Sequence, residues 1–185
     1  MTEDEPDLVV VGERVALGPI RKDLAATYAR WANSEGVRHG LGNISLATPE
    51  SEEKWVDEVV EKGAKRPPEV AEFTIYDRTD GAPVGTVGLF EIEHEHGSAE
   101  FGILLGERRG QGLGTEATRL VLGWAFETLG LRNVLLQVLD WNVEAQRAYE
   151  RAGFRRIGVR RGCATSRGKP TDVVLMDAVP ADAAG

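Results

Sequence analysis

One stretch of the chain, residues 100–115, passes from an apolar run into a basic, glycine-spaced turn and then into a helical pattern. The apolar run at residues 101–105 predicts a buried strand, and apolar residues between Ala117 and Leu129 recur at close to helical spacing. The strand must therefore give way to a helix at three closely spaced glycines, Gly110, Gly112 and Gly114.

This glycine loop, residues 109–114, has the properties of an anion-binding site. Residues without Cβ adopt positive φ easily, so several consecutive N–H groups can point into one concavity. The helix that follows adds its unpaired N–H groups and the positive end of its dipole. Arg108 and Arg109 add formal charge. We therefore expect the loop to bind a phosphate or pyrophosphate group.

Two common phosphate-binding motifs do not match the glycine loop. A P-loop requires Gly-Lys-Ser or Gly-Lys-Thr, and neither tripeptide occurs in the chain. The dinucleotide fingerprint requires a further glycine at the position of Thr115. That fingerprint also lies near the start of a first βαβ unit, whereas the glycine loop of this chain does not. A nucleoside triphosphate or a dinucleotide is therefore not the expected ligand.

A second motif changes the interpretation. Arg109 to Gly114 has the form Gln/Arg-x-x-Gly-x-Gly/Ala, and Asn142 to Phe154 has the form Asn-x-x-Ala-x-x-x-Tyr-x-x-x-Gly-Phe. Together, and in this order, they resemble the GNAT superfamily of acyl-coenzyme A-dependent N-acetyltransferases. The resemblance covers most of residues 71–177 and is greatest to the branch with ribosomal-protein alanine and spermidine N-acetyltransferases.

The resemblance implies a fold, a cofactor and a set of binding residues. The expected fold is α/β (α+β), with a mixed, mostly antiparallel sheet of about seven strands, splayed between the fourth and fifth strands, and about four helices. The expected cofactor is acetyl-CoA, with its pantetheine between the splayed strands and its pyrophosphate on the glycine loop. The residues assigned to the cofactor are Ile103, Leu104, Leu105, Arg108, Arg109, Gly110, Gln111, Gly112, Leu113, Gly114, Thr115 and Asn142.

Length and composition indicate one domain. A chain of 185 residues with 42% hydrophobic residues and 28% charged residues suits a single globular unit. We expect a flexible lead at residues 1–12, the domain at residues 13–179 and a disordered tail at residues 180–185. The acidic N-terminus shows no signal peptide and no apolar run is long enough to span a bilayer, so the cytoplasm is the expected location.

Local patterns predict the elements of this domain. Thr48, followed by Pro49, is typical of a helix N-terminus. Gly153 is typical of a helix end. The segment at residues 36–48, rich in Gly, Asn and Ser, is expected to be a loop. The predicted strands are residues 14–20, 70–77, 82–92, 100–106, 133–139, 154–163 and 172–179, and the predicted helices are residues 24–36, 48–62, 113–129 and 142–152.

Tyr149 is the candidate general acid. Asn142 and Tyr149 are seven residues apart on one predicted helix and therefore share nearly the same face. A Tyr hydroxyl is protonated at neutral pH and can serve a leaving thiolate. The alternative is a core tyrosine that packs against Leu120 and Trp124, and both roles are compatible.

Glu100 is the candidate general base, directly or through a water molecule, because it opens the predicted strand and resembles a glutamate of spermidine acetyltransferase-like members. An α-amine has a reference pKa near 8, whereas an alkyl amine has one nearer 10.4, so an α-amine needs less help from a base. With such a substrate Glu100 would only orient the amine.

The expected partner is an amine-bearing substrate, with a peptide or ribosomal-protein N-terminus as the leading candidate and a polyamine or aminoglycoside as the alternative. The expected acceptor-facing segments are residues 36–48, 94–97 and 163–170. A non-catalytic acyl-CoA-binding module is the alternative function of another class, and both a monomer and a homodimer are possible.

A net charge of −8 argues against general nucleic-acid binding, although residues 151–169 are locally basic. His94 and His96 alone do not make a metal site, so we expect none.

Overall fold

The computed structural model describes residues 6–41 and 45–183. The strands are β1 (Val10–Val11), β2 (Val15–Pro19), β3 (Ala71–Asp77), β4 (Pro83–Glu93), β5 (Ser98–Leu105), β6 (Asn133–Leu139), β7 (Arg155–Ser166) and β8 (Lys169–Ala178). They form one eight-stranded sheet in the order β1-β2-β3-β4-β5-β6-β8-β7. All neighbours are antiparallel except β5 and β6, which confirms the mixed, mostly antiparallel sheet expected from the sequence.

Helices cover both faces of the sheet. They are α1 (Ala25–Ala32), α2 (Glu35–Leu41), α3 (Pro49–Gly63), α4 (Leu113–Glu127), α5 (Val143–Ala152) and the short α6 (Pro180–Ala183), with a 3₁₀ turn at Lys22–Leu24 before α1. Within residues 6–41 and 45–183, none of these helices combines the length and apolarity that crossing a bilayer requires.

We call the sheet face that carries α1 and α3 the front face and the one that carries α4 and α5 the back face. On the front face, the hydroxyl of Tyr28 in α1 lies 2.6 Å from Oγ1 of Thr74 in β3. On the back face, Phe73 of β3 meets the ring of Trp124 in α4 edge to face, with centroids 5.3 Å apart. A large core therefore lies between the sheet and α4, and a smaller one lies under α1 and α3.

Several boundaries follow from local chemistry, and those at Thr48 and Gly153 were predicted. Thr48 caps α3 by accepting a hydrogen bond from the backbone N–H of Ser51, and Pro49 occupies the first turn. Asn142 caps α5 by accepting from the backbone N–H of Ala145. Gly153 ends α5 with φ of 114°, in the left-handed region that glycine adopts easily.

The structure differs from the sequence-based prediction between α1 and α3. Residues 36–48 were expected to be a loop, but α2 occupies Glu35–Leu41, and the first predicted helix ends earlier, at Ala32. Val37 is only 2% exposed, so tertiary packing overrides the weak helix propensity of this glycine-containing segment. The part of the predicted loop at residues 42–44 lies outside the described residues.

The two ends of the chain also contain elements that the predicted domain boundaries left out. Val10 and Val11, in the predicted lead, form β1 by pairing with Leu17 and Ala16 of β2. In the predicted tail, Pro180–Ala183 forms α6. The remaining predicted ends, residues 1–5 and 184–185, lie outside the described residues.

The sheet opens between β5 and β6. These strands pair only at Ser98 with Asn133, Ala99 with Val134 and Glu100 with Leu135. Beyond these pairs β5 continues to Leu105 and β6 continues to Leu139 without further strand pairing between them. This is the expected splay, and it follows the fifth strand rather than the fourth because the two-residue β1 adds a strand at the start of the count.

Two glycines give a matched test of this packing. A Cβ on Gly106, just after β5, would lie 2.1 Å from Cγ of the buried Trp31, whereas a Cβ on Gly123 in α4 would meet nothing within 4 Å. We expect Gly106→Ala to lower the free energy of unfolding by about 1 to 3 kcal/mol through overpacking. Gly123→Ala should raise it by about 0.5 to 1 kcal/mol, because alanine suits a helix interior better. Urea denaturation of both variants measures the two changes, and equal effects would contradict the described contact between α1 and β5.

Candidate active site

The β5–β6 split leads directly into the glycine loop. β5 pairs with β4 without interruption from Glu100 to Leu105, so beyond Glu100 the backbone groups on its other edge have no strand beside them. Exposed strand-edge N–H and C=O groups are the kind that pair with an extended ligand containing amides. The split therefore offers the peptide-like groups of a pantetheine chain a place beside Ile103, Leu104 and Leu105.

The glycine loop has the backbone geometry that its sequence predicted. Gly110 and Gly112 have φ of 75° and 82°, and a Cβ on Gly110 would meet nothing within 4 Å. Gly112 is the N-cap of α4, and within the described chain no side chain caps the helix there. The N–H groups of Leu113, Gly114 and Thr115, which have no intrahelical acceptor, are therefore free for an anion. These residues fit the pyrophosphate of coenzyme A.

The two arginines before the glycines have different surroundings. Arg108 forms ion pairs with Asp77 and with Asp80, the latter at 2.5 Å between Nη2 and Oδ2. Its guanidinium therefore ties the loop to the β3–β4 hairpin, and much of its charge is already balanced. Arg109 donates from Nε to the carbonyl oxygen of Leu105 at 2.8 Å and reaches Gly36 of α2 with Nη1. That bond uses one acceptor of β5 that the sequence analysis assigned to the cofactor.

A third arginine, which the sequence analysis missed, lies against the loop. Nη1 of Arg14 donates to the carbonyl oxygen of Gln111 at 2.7 Å and would lie 3.5 Å from a Cβ on Gly112. The backbone N–H of Arg14 in turn donates to Oε1 of Glu116, in the first turn of α4. No local pattern marks Arg14, because it reaches the loop only through the packing of α4 against β2.

Tyr149 lies on the back face beside the split. Its ring packs edge to face on Phe101 and Phe154, at 6.1 Å between centroids in both cases. Burial raises the pKa of its hydroxyl to about 12. Among the described residues the hydroxyl has no hydrogen-bond partner, so it stays protonated at neutral pH and free to donate.

Glu100 lies at the start of the split, on the front face. It is the last residue of β5 that pairs with β6, and its carboxylate accepts a hydrogen bond from Nε2 of Gln137 at 3.0 Å. Oε1 of Gln137 accepts from Nη1 of Arg160 in β7 at 3.4 Å. The carboxylate is thus held across the start of the split by a chain of hydrogen bonds that the sequence analysis did not foresee.

Helix α2 passes over the open end of the split. One end lies against the glycine loop, where Gly36 meets Arg109. The other end lies against the start of α5, where His39 stacks on Trp141 with ring centroids 3.8 Å apart. This helix lies in a segment that was expected to face the acceptor, and it bridges the glycine loop and the start of α5.

The described residues contain no group of three or more His, Cys, Asp or Glu side chains placed to hold a metal ion. His94, one of the two histidines considered from sequence, has Nε2 2.6 Å from the carbonyl oxygen of Pro68. The site therefore consists of backbone groups, arginines, Tyr149 and Glu100.

Comparisons with known proteins agree with this fold. Residues 14–155 match the family model described as "Acetyltransferase (GNAT) domain". The Alpha/beta-tubulin-N-acetyltransferase 9 of Mus musculus is 26% identical over 168 residues, which cover 82% of this chain and 66% of that protein. The Spermidine N(1)-acetyltransferase of Escherichia coli (strain K12) is 40% identical over 76 residues, which cover 40% of this chain and only 41% of that enzyme.

Among solved structures, spermidine N-acetyltransferase from Vibrio cholerae in complex with CoA and spermine has the same fold. The TM-score is 0.83 at 20% sequence identity, and the superposition covers 94% of this chain and all of that one (100%).

The glycine loop yields a charge-specific prediction at Gly112. Asn and Asp have the same shape and both tolerate the left-handed conformation, so Gly112→Asn and Gly112→Asp differ mainly in charge. We expect the Asp variant to bind coenzyme A about 10- to 100-fold more weakly than the Asn variant, because a carboxylate beside the α4 N-terminus repels pyrophosphate. Calorimetric titration measures both constants, and equal affinities would contradict the pyrophosphate assignment.

The Arg108 ion pairs yield a prediction of acid sensitivity. The pKa of Asp77 is lowered from 3.8 to about 2, first by the backbone N–H of Thr79 and then by Arg108. A lowered pKa in the folded state stabilises the protein above the unfolded value, and this contribution disappears as the pH falls towards 2. The melting temperature of Asp77→Asn should therefore lie below that of wild type at about pH 6, with a gap that narrows towards about pH 2.

The control for this experiment is Glu58→Gln, which removes an exposed acid of α3. A gap for Asp77→Asn that stays constant from about pH 6 to about pH 3 would show that the charge of Asp77 does not stabilise the loop.

Proposed function

The chain belongs to the GNAT acetyltransferase family and is an acyl-CoA N-acyltransferase, and we propose that it acetylates a primary amine at the β5–β6 split. The observation that carries this proposal is the continuity of the split with the uncapped N-terminus of α4. When bound, acetyl-CoA supplies an acetyl thioester that an amine attacks directly. The glycine loop would hold its pyrophosphate, and the edge of β5 would hold its amides.

The two faces of the sheet would then have different roles. Glu100 lies on the front face and Tyr149 lies on the back face, and the split is where the two faces connect. An amine that approaches from the front would meet Glu100, while the hydroxyl of Tyr149 would approach from the opposite side. No covalent enzyme intermediate is needed, which agrees with the position of the single cysteine, Cys163, in exposed β7.

Tyr149 would act on the leaving sulfur. Its raised pKa guarantees a protonated hydroxyl, but it also makes the residue a weaker proton donor than a free tyrosine. We therefore propose that Tyr149 stabilises the departing thiolate by donating a hydrogen bond to it, while the proton released by the amine passes to Glu100 or to water. Within the part of the chain that the structure describes, no other residue competes for this hydroxyl.

Glu100 would receive or orient the amine. Its carboxylate keeps acceptor capacity after the bond from Gln137, because each oxygen has two lone pairs. A water between Glu100 and the amine would let the residue act as a base at a distance. The backbone N–H of Ile103 or Leu104 would donate to the carbonyl oxygen of the acetyl group.

Two acceptor classes have support. A peptide α-amine is the leading one, because the match to the tubulin N-acetyltransferase spans most of this chain. A polyamine is the second candidate, because the match to the spermidine enzyme is stronger though local. A panel of N-terminal peptides, polyamines and aminoglycosides, assayed for thiol release, separates them. Coenzyme A binding without thiol release against any amine would contradict the proposal and favour a binding module.

The catalytic part of the proposal is tested with Tyr149→Phe. The ring and its contacts with Phe101 and Phe154 are kept, so folding and coenzyme A affinity should survive. We expect kcat to fall about 10²- to 10⁴-fold if donation to sulfur limits the rate. Because the pKa of Tyr149 is about 12, the ratio of wild-type to variant kcat should be constant between about pH 7 and pH 10.

Phe126→Leu is the control, since it changes another partly buried aromatic ring, near the C-terminal end of α4, and should keep wild-type kcat because Tyr149 stays in place. Wild-type turnover by Tyr149→Phe would reassign proton donation to water and leave Tyr149 as a wall of the pocket.

A further inference from the structure

A second glutamate, which the mechanism above does not use, lies on the front face of the sheet. Glu72 of β3 is directly opposite Gly88 of β4, and Gly88 is directly opposite Gly102 of β5. Residues that are directly opposite in neighbouring strands project on the same side of the sheet. Glu72, Gly88 and Gly102 therefore form one row across three strands, with a carboxylate at one end and the split just beyond the other.

The glycines shape this row. The carboxylate of Glu72 leans over β4, where a Cβ on Gly88 would lie only 2.2 Å from its Oε2. The ring of Phe90 lies over Gly102, with Cε1 2.9 Å from the position of a Cβ there. Any larger residue at 88 would displace the carboxylate. The row therefore has a backbone floor at its two glycines, with the carboxylate of Glu72 over one end and the ring of Phe90 towards the split.

Glu72 lacks a basic partner. Among the described residues no lysine or arginine forms an ion pair with it. Burial raises its pKa to about 8, against a hydrogen bond from the hydroxyl of Thr86 that favours the carboxylate. A carboxylate shielded from water without a cation is unfavourable, so a bound ammonium group would stabilise it.

The position of Glu72 suits a second charge on the acceptor better than the reacting amine. Neighbouring strands lie about 4.8 Å apart, so a carboxylate over β4 is about 5 Å from β5 and about 5 to 10 Å from the split. A general base must come within about 3 Å of the proton, directly or through one water. Glu100, at the start of the split, lies closer to the proposed position of the reacting amine than Glu72 does.

From this row we propose that Glu72 binds a second positively charged group of the acceptor while the reacting amine lies in the split. This inference rests on the proposed function and specifies the substrate class: a dication or polycation whose charges are about 5 to 10 Å apart. Spermidine-like polyamines have this chemistry, and so does a peptide with a basic side chain next to its free N-terminus. Glu72 is a positioning residue that favours acceptors with a second positive charge.

The test compares two amines of matching length, putrescine and n-butylamine, which differ by one ammonium group. In wild type, kcat/KM for putrescine should exceed that for n-butylamine by about 10- to 100-fold, as expected for a hydrogen bond to a charged group. In Glu72→Gln the ratio should fall close to the statistical factor for two equivalent amines. A second pair of substrates consists of peptides with either Lys or norleucine after the N-terminal residue. The ratio of their kcat/KM values shows whether Glu72 also favours a positive charge on a peptide.

Two further variants control this experiment. Glu58→Gln, on the exposed side of α3, removes the same charge elsewhere and should keep the wild-type ratio. Glu72→Asp keeps the charge on a shorter side chain and should keep part of the preference, which tests the proposal even if Glu72→Gln does not fold. Coenzyme A affinity should be unchanged in every variant.

The outcomes separate the two proposals. Acetylation of neither amine nor peptide by wild type would contradict the proposed function. Acetylation with the same charge preference in wild type and Glu72→Gln would leave the function standing and overturn the role of Glu72. Equal loss with the dication and the monocation would assign Glu72 to the folding of this row and also overturn the proposal.

Discussion

The early end of the pairing between β5 and β6 is the constraint on which the rest of the site depends. Only three residue pairs join these strands, and the last is Glu100 with Leu135. Beyond it, a strand in the middle of the sheet keeps unpaired backbone groups, which are unfavourable unless water or a ligand satisfies them. The opening also connects the front face, with its glutamates, to the back face, with Tyr149. A fully paired sheet would separate these groups.

The charges around the split are arranged in two sets with different tasks. The charge of Arg108 is balanced by Asp77 and Asp80. Its side chain therefore fixes the glycine loop to the β3–β4 hairpin and is not available to bind an anion. The N-terminus of α4, without a side-chain cap within the described residues, provides positive potential for phosphate together with Arg14 and Arg109 beside the loop. On the front face Glu100 provides negative charge, and Glu72 would provide it when a bound cation offsets the burial that raises its pKa. An anionic cofactor and a cationic acceptor would thus be attracted to different ends of one opening.

Local chemistry explains which parts of the structure the sequence predicted. Thr48 and Asn142 cap helices through bonds to residues three positions away, and the loop glycines need only their own backbone freedom, so these features follow from short segments. The helix α2, the partners of Arg108 and the contact of Arg14 with the loop depend on elements distant in sequence. Glu72 was missed for the same reason, since its row with Gly88 and Gly102 exists only once three strands are in register.

The most direct test of the central claim, that coenzyme A binds along the edge of β5 and on the N-terminus of α4, is amide hydrogen exchange with and without coenzyme A. We predict slower exchange at Leu113, Gly114 and Thr115 and along the free edge of β5, because these N–H groups gain acceptors. Amides of β2, which lies far from the split in the sheet, should keep their rates. Saturating coenzyme A that leaves exchange at residues 103–115 unchanged would contradict the claim.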